Sequence, residues 1–201
     1  MISKDKWKSM DENNASKALD RIGKMLDEMN IRYGLLFGTA LRLYRDKKFG
    51  KDWDIDLFML GEDLDKFSKR IAMQSGFINI KVKSDIPKWK KSETEFSDEN
   101  YTRTISLNIF DCRIDIDPIY ISSDGKSRIG LKGRKRQRFA FIHPKEYFEN
   151  MDTVEYQGNK YNIPTPIDLY LKSNYGDWKS PVHEHRSWGK RKCMSQIYDC
   201  K

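Results

Sequence analysis

Four aspartates fall in two short alternating runs. In Trp53-Asp54-Ile55-Asp56-Leu57-Phe58, Asp54 and Asp56 are two residues apart among apolar neighbours. Side chains two apart on a strand point to one side, so both carboxylates share a face and Trp53, Ile55 and Leu57 take the other. Arg113-Ile114-Asp115-Ile116-Asp117-Pro118 repeats the pattern. Like charges held together either push one pKa up or recruit a cation. Hard divalent ions prefer carboxylate oxygen, so Asp54 and Asp56 with a third acid from an adjacent strand would hold Mg²⁺, with Mn²⁺ as the alternative. Asp115 is the expected third ligand, although Asp117 can exchange roles with it. The pattern would lose its meaning if Asp115 lay far from the other two or were buried in a salt bridge to arginine.

Gly38-Thr39 complements the acids. A glycine ending a strand and a hydroxyl residue opening a helix leave backbone N–H groups free for phosphate. Arg45 and Lys48 follow, as further phosphate partners or as surface charges at a helix end. Of two other metal readings, one is rejected and the other disfavoured. Asp52-x-Asp54-x-Asp56 imitates the start of a calcium loop, but Leu57 stands where glycine is needed and Asp63 where glutamate is usual. The Asp-x-Asp of metal-dependent glycosyltransferases usually follows a complete nucleotide-binding unit, and the chain before Asp54 is short for one. His183 and His185 have no further ligand in reach and are left out of the site.

The elements that must place these residues are legible as periodicities. Residues 11–29 carry Ala15, Leu19, Ile22, Met25, Leu26 and Met29 at helical spacing. Residues 33–37 read as a short strand, 40–49 as a helix and 53–60 as the acidic strand. Residues 61–76 read as a third helix, 77–83 as a strand and 87–100 as an irregular loop. Residues 101–110 and 112–122 read as strands turning at Asp111, with another strand at 138–142. A hairpin with its turn at Gly158-Asn159 and a helix from Pro166 to Gly176 follow. The class is α+β: a mixed β-sheet flanked by helices, with a C-terminal hairpin and helix. One domain spans residues 1–201, its core about 11–181, followed by a basic tail at 182–201.

The 201 residues carry a net charge of +8, with 38% hydrophobic and 34% charged side chains, a balance that argues against disorder. The basic run from Lys126 to Arg138 is either a solvated edge or a phosphate-facing rim. No apolar stretch is long enough for a transmembrane segment, and the start lacks a secretory signal. Cys112, Cys193 and Cys200 make an odd count without metal-ligand spacing, so the expected setting is reducing and cytoplasmic.

Taken in order, Gly38, Thr39, Arg45, Phe49 and Asp54-Ile55-Asp56 resemble the nucleotidyltransferase superfamily typified by DNA polymerase β. More narrowly they resemble the LicD/fukutin family of phosphocholine and polyol-phosphate transferases. Ile114-Asp115-Ile116-Asp117-Pro118, Pro164, Tyr170-Leu171, Tyr175-Gly176-Asp177-Trp178 and Pro181 continue the similarity to about residue 181. Trp53 interrupts the family's run of acids and leaves Asp52 apart, Asp117 replaces a position that is often aromatic, and the chain is small for the family. The resemblance implies a transferase in which Asp54, Asp56 and Asp115 hold the metal and Gly38 and Thr39 grip phosphate. It also implies a CDP-linked donor, a glycan or polyol acceptor and CMP as product. Asp177 and Trp178 are either substrate contacts or, with Gly176, a helix stop packed on the core. An alternative donor is a nucleoside triphosphate, its NMP passing to RNA, protein or a small molecule. A third reading is a non-enzymatic module that binds an anionic polymer through the basic run, which leaves the acids unexplained.

Overall fold

The acidic run folds as expected, as a strand with two unlike faces. In the computed structural model, which describes residues 9–72, 81–83, 104–121, 126–132, 137–180 and 194–199, it forms β2 (Asp54–Leu60). Ile55, Leu57 and Met59 are wholly buried on one face, while Asp54, Asp56 and Phe58 occupy the other. β1 (Tyr33–Leu35) pairs antiparallel with one edge of β2, and β5 (Cys112–Ile121) pairs parallel with the other. β4 (Thr104–Ile109) and then β6 (Lys126–Lys132) share the far edge of β5, both antiparallel to it. β3 (Lys81–Lys83) adds to β4, and β7 (Gln137–Pro144) and β10 (Met194–Asp199) extend the sheet beyond β6. The result is an eight-stranded mixed sheet.

The basic run is partly strand, β6 and β7, and the segment read as a tail contributes β10. The side chains of residues 122–140 and 181–201, and the loop at 87–100, lie outside the described residues.

Helices cover both faces. α1 (Glu12–Glu28) begins at Asp11, whose side chain accepts the Asn14 N–H at 2.9 Å as an N-cap. Its stripe of Ala15, Ala18, Leu19, Ile22, Met25 and Leu26 is buried against the apolar face. On the acid face lie α2 (Phe37–Arg45), α4 (Glu146–Glu149) and α5 (Ile167–Tyr175). α3 (Leu64–Ala72) follows β2 through one 3₁₀ turn. Beyond the acids, the same face of β2 enters an aromatic cluster. Phe58 meets Phe148 edge-on at 5.1 Å, Phe148 meets Tyr170 at 6.2 Å, and Phe37 meets Phe141 at 4.7 Å. Such pairs add about 0.5–1.5 kcal/mol each to area burial.

The hairpin of β8 (Asp152–Tyr156) and β9 (Asn159–Ile163) packs against β1 and α2. Its turn is Gln157-Gly158, both at positive φ, one residue earlier than expected, because a two-residue hairpin turn of this hand needs φ above zero at both positions. Gly34 allows the close approach: a Cβ there would lie 2.6 Å from the Phe58 ring and 2.9 Å from the Asn162 carbonyl oxygen. Glu12 ties the layers together. Its carboxylate accepts the N–H groups of Phe49 and Gly50 and the hydroxyl of Tyr156, at 2.7–3.2 Å, which fixes the loop leading into β2.

Candidate metal and phosphate site

The pairing of β2 with β5 places Asp56 directly opposite Asp115. One oxygen from each of Asp54, Asp56 and Asp115 lies within 4.8 Å of the other two. Asp54 and Asp115 are 7% and 9% exposed, and Asp56 is half-buried. This set fits a divalent ion: three hard oxygen donors converge from two adjacent strands in a largely shielded pocket. The same register answers whether Asp115 or Asp117 joins the cluster. Asp117 sits opposite Phe58, is 1% exposed, and accepts the Thr104 hydroxyl at 2.6 Å.

Asp115 is held from two sides. Ser106 donates its hydroxyl to Oδ1 at 2.6 Å, and Arg113 forks onto the carboxylate through Nε to Oδ1 at 2.9 Å and Nη2 to Oδ2 at 2.7 Å. Arg113 also lies over the Trp53 ring, 5.1 Å from its centre. Burial pulls the Arg113 pKa down, but the bond to Asp115 and the charges of Asp115, Asp54 and Asp56 outweigh it, and the net shift is upward. The expectation of an Asp115 unencumbered by arginine is therefore not met. Asp115 is buried in this pair while 34% of the Arg113 side chain is exposed, and Asp115 stays within the cluster.

The first turn of α2 borders the acids. The helix starts at Phe37, so Gly38 and Thr39 lie inside its first turn rather than ahead of it. Phe37 has φ +41, and its N–H donates to the Tyr170 hydroxyl at 3.1 Å. Leu36 N–H reaches the Asp56 carbonyl at 2.9 Å, and the Asp56 N–H donates to the Thr39 hydroxyl at 2.8 Å. Thr39 is fully buried, so its side chain holds β2 while its backbone faces the start of the helix. The N–H groups of Gly38 and Thr39 belong to the first turn, which has no partner for them within the helix. Leu36, at the N-cap, makes no side-chain cap.

Asp52 is a member of this neighbourhood that the sequence reading set apart. A Cβ at Gly38 would sit 2.9 Å from Asp52 Oδ2 and 3.7 Å from Asp56 Oδ2, so a side chain there would displace the Asp52 carboxylate while only touching that of Asp56. Burial raises the Asp52 pKa, opposed by the Arg42 charge and the Trp53 N–H. The signal was its place in Asp52-x-Asp54-x-Asp56, hidden because Asp52 precedes the strand.

The other predicted contacts gather at the opposite end of α2, about 10 Å from Gly38 along the helix. Arg45 forks onto Asp46 at 2.7 and 2.8 Å and donates Nη1 to the Trp178 carbonyl at 2.7 Å. Trp178 is 8% exposed and packs on Tyr44, with ring centres 5.7 Å apart. Gly176, at φ +71, ends α5 with its N–H on the Lys172 carbonyl. Arg45 and Trp178 thus brace α2 against α5. Asp177 is exposed and accepts the Ser180 hydroxyl at 2.9 Å, and Lys48 is exposed. Asp177 and Trp178 line a surface hollow of about 470 Å³ with Asp168, Leu169, Lys172 and Lys179, none of which belongs to the acid cluster. His183, His185 and Pro181 lie outside the described residues.

A family profile described as "LicD/FKTN/FKRP, nucleotidyltransferase domain" matches residues 30–166, more than half of the chain and a span that includes all three acids. Comparison with curated proteins gives no match. Among solved structures, the chain is similar to the crystal structure of the lincosamide antibiotic adenylyltransferase LnuA, lincomycin-bound. Identity is 16% and the TM-score 0.45, over 77% of this chain and 82% of that one.

Proposed function

The chain belongs to the LicD/FKTN/FKRP family of nucleotidyltransferase domains, and from that premise we propose that it moves a phospho-alcohol group from a CDP-linked donor to a glycan or polyol hydroxyl. Family membership supports a transferase. The observation that carries the metal-dependent reading is the convergence of Asp54, Asp56 and Asp115 beside the first turn of α2. Those three carboxylates would hold Mg²⁺ or Mn²⁺. Such an ion, when bound, stabilises charge on the entering and leaving oxygens of an in-line displacement.

The chain's own groups do the rest. Gly38 and Thr39 present backbone N–H groups to the donor's phosphate oxygens, aided by the positive end of the helix. Asp115 takes the proton of the acceptor hydroxyl. That oxygen forms a bond to the phosphorus carrying the alcohol, the phosphorus–oxygen bond to CMP breaks, and CMP leaves. Arg45 and Trp178 position α2 rather than touch phosphate, whereas Lys48 and Asp177 remain exposed for substrate. Among the described residues, no helix is long and apolar enough to cross a membrane.

The test supplies Mg²⁺ with CDP-choline, CDP-ribitol or CDP-glycerol and an acceptor panel, and measures CMP. Asp54→Asn and Asp56→Asn are expected to abolish its formation; undiminished activity in both variants refutes the reading. Pyrophosphate released from a nucleoside triphosphate would instead establish NMP transfer, toward which the net charge of +8 inclines.

A further inference from the structure

Arg113 occupies ground that a divalent ion would need. Its fork engages both oxygens of Asp115, at 2.9 and 2.7 Å, and Ser106 takes a further position on Oδ1. A carboxylate offers about four lone-pair sites, so Asp115 is largely spoken for. Arg113 also pairs in register with Asp54, and its charge acts on Asp54 and Asp56 as well as on Asp115. An ion shared by the same three acids would therefore lie beside a guanidinium and compete with it for Asp115.

We infer that Arg113 is the resident cation of this site, neutralising the acids in the metal-free protein and giving up Asp115 when a divalent ion binds. Two features suit it to that exchange. Its side chain is 34% exposed, so the released guanidinium regains water, and the Trp53 ring it already lies over, 5.1 Å from its centre, is a contact that does not depend on Asp115. Ser106 keeps its hold on Oδ1 and preserves the orientation of Asp115 in both states. Arg113 thereby sets the metal concentration at which the site fills. It is a positioning residue that acts through Asp115.

The inference rests on the proposed metal site, and one experiment separates the two. Mn²⁺ is titrated calorimetrically into the wild-type chain and into Arg113→Met, and both are melted with EDTA and with saturating Mn²⁺. R113M is expected to bind Mn²⁺ at least about fivefold more tightly, the lower end of ordinary coupling between linked sites. It is also expected to melt lower than wild type in EDTA, with Mn²⁺ closing the gap. A merely structural arginine would not tighten metal binding on removal. Equal or weaker Mn²⁺ affinity in a folded R113M, or an unchanged melt in EDTA, overturns the inference alone. Binding by neither folded protein overturns the metal reading and the inference with it. If R113M is unfolded in EDTA, refolding on addition of Mn²⁺ supports the inference and failure to refold overturns it.

Discussion

Replacing Thr39 with valine removes one hydroxyl and almost no volume, so it isolates a single bond. The β1–β2 ladder ends at the Leu35–Leu57 pair, beyond which Leu36 N–H still reaches the Asp56 carbonyl. The reciprocal donor, Asp56 N–H, is met by Thr39 Oγ1 at 2.8 Å, on a side chain with 0% exposure. Valine leaves that N–H without its partner, at a cost of about 1–3 kcal/mol. At ~2–4 °C per kcal/mol for a chain of this size, the melting temperature falls by about 2–12 °C. Thr39→Ser keeps the bond and loses one methyl, worth about 1 kcal/mol. The two variants therefore overlap in stability but differ at the site. Amide exchange separates them: the Asp56 N–H becomes exchangeable in T39V and stays protected in T39S, and Mn²⁺ affinity falls only in T39V. If T39V keeps the Asp56 amide protected and its Mn²⁺ affinity intact, the hydroxyl does not fix the acidic strand.

Tyr170→Phe deprives the Phe37 N–H of its acceptor and is expected to cost about 1–3 kcal/mol in urea unfolding. Trp178→Ala removes a ring packed on Tyr44 and is expected to cost about 3–5 kcal/mol by the same assay; a fully stable variant with weakened donor binding would return Trp178 to a substrate role. Asp52 supplies a pH signature. Burial raises its folded pKa above the unfolded value, so the folded state binds the extra proton and stability falls as pH rises through the window between the two. Asp52→Asn should therefore melt higher than wild type at neutral pH, with the advantage vanishing below the ordinary carboxylate range.

Period-two alternation made both acidic strands legible, and helical spacing did the same for α1, because each pattern is local. Register is not local. Asp115 and Asp117 are equivalent in sequence, and only the alignment of β5 on β2 puts one against Asp56 and the other against Phe58. Side-chain partners escaped for the same reason. Thr39 and Arg45 have the chemistry of phosphate ligands, yet one is taken by the Asp56 backbone and the other by Asp46 and the Trp178 carbonyl. Arg113 stands two residues before Asp115 and so shares its face, a neighbour that alternation alone reveals once the strand is recognised. The basic run was ambiguous because a strand such as β6 need not bury both faces, so its charges masked its backbone role.

The parallel junction of β2 with β5 also governs when the three acids can meet. Asp56 and Asp115 come from distant stretches of polypeptide, and parallel neighbours require a long excursion before they meet. Closing that excursion is entropically slow. A nascent chain emerging from the ribosome thus exposes the first turn of α2 and β2 well before Asp115 can join Asp54 and Asp56. Any ion held by these three acids would consequently be captured late in folding, and the onset of its binding during refolding would mark the moment at which the native strand order has been achieved.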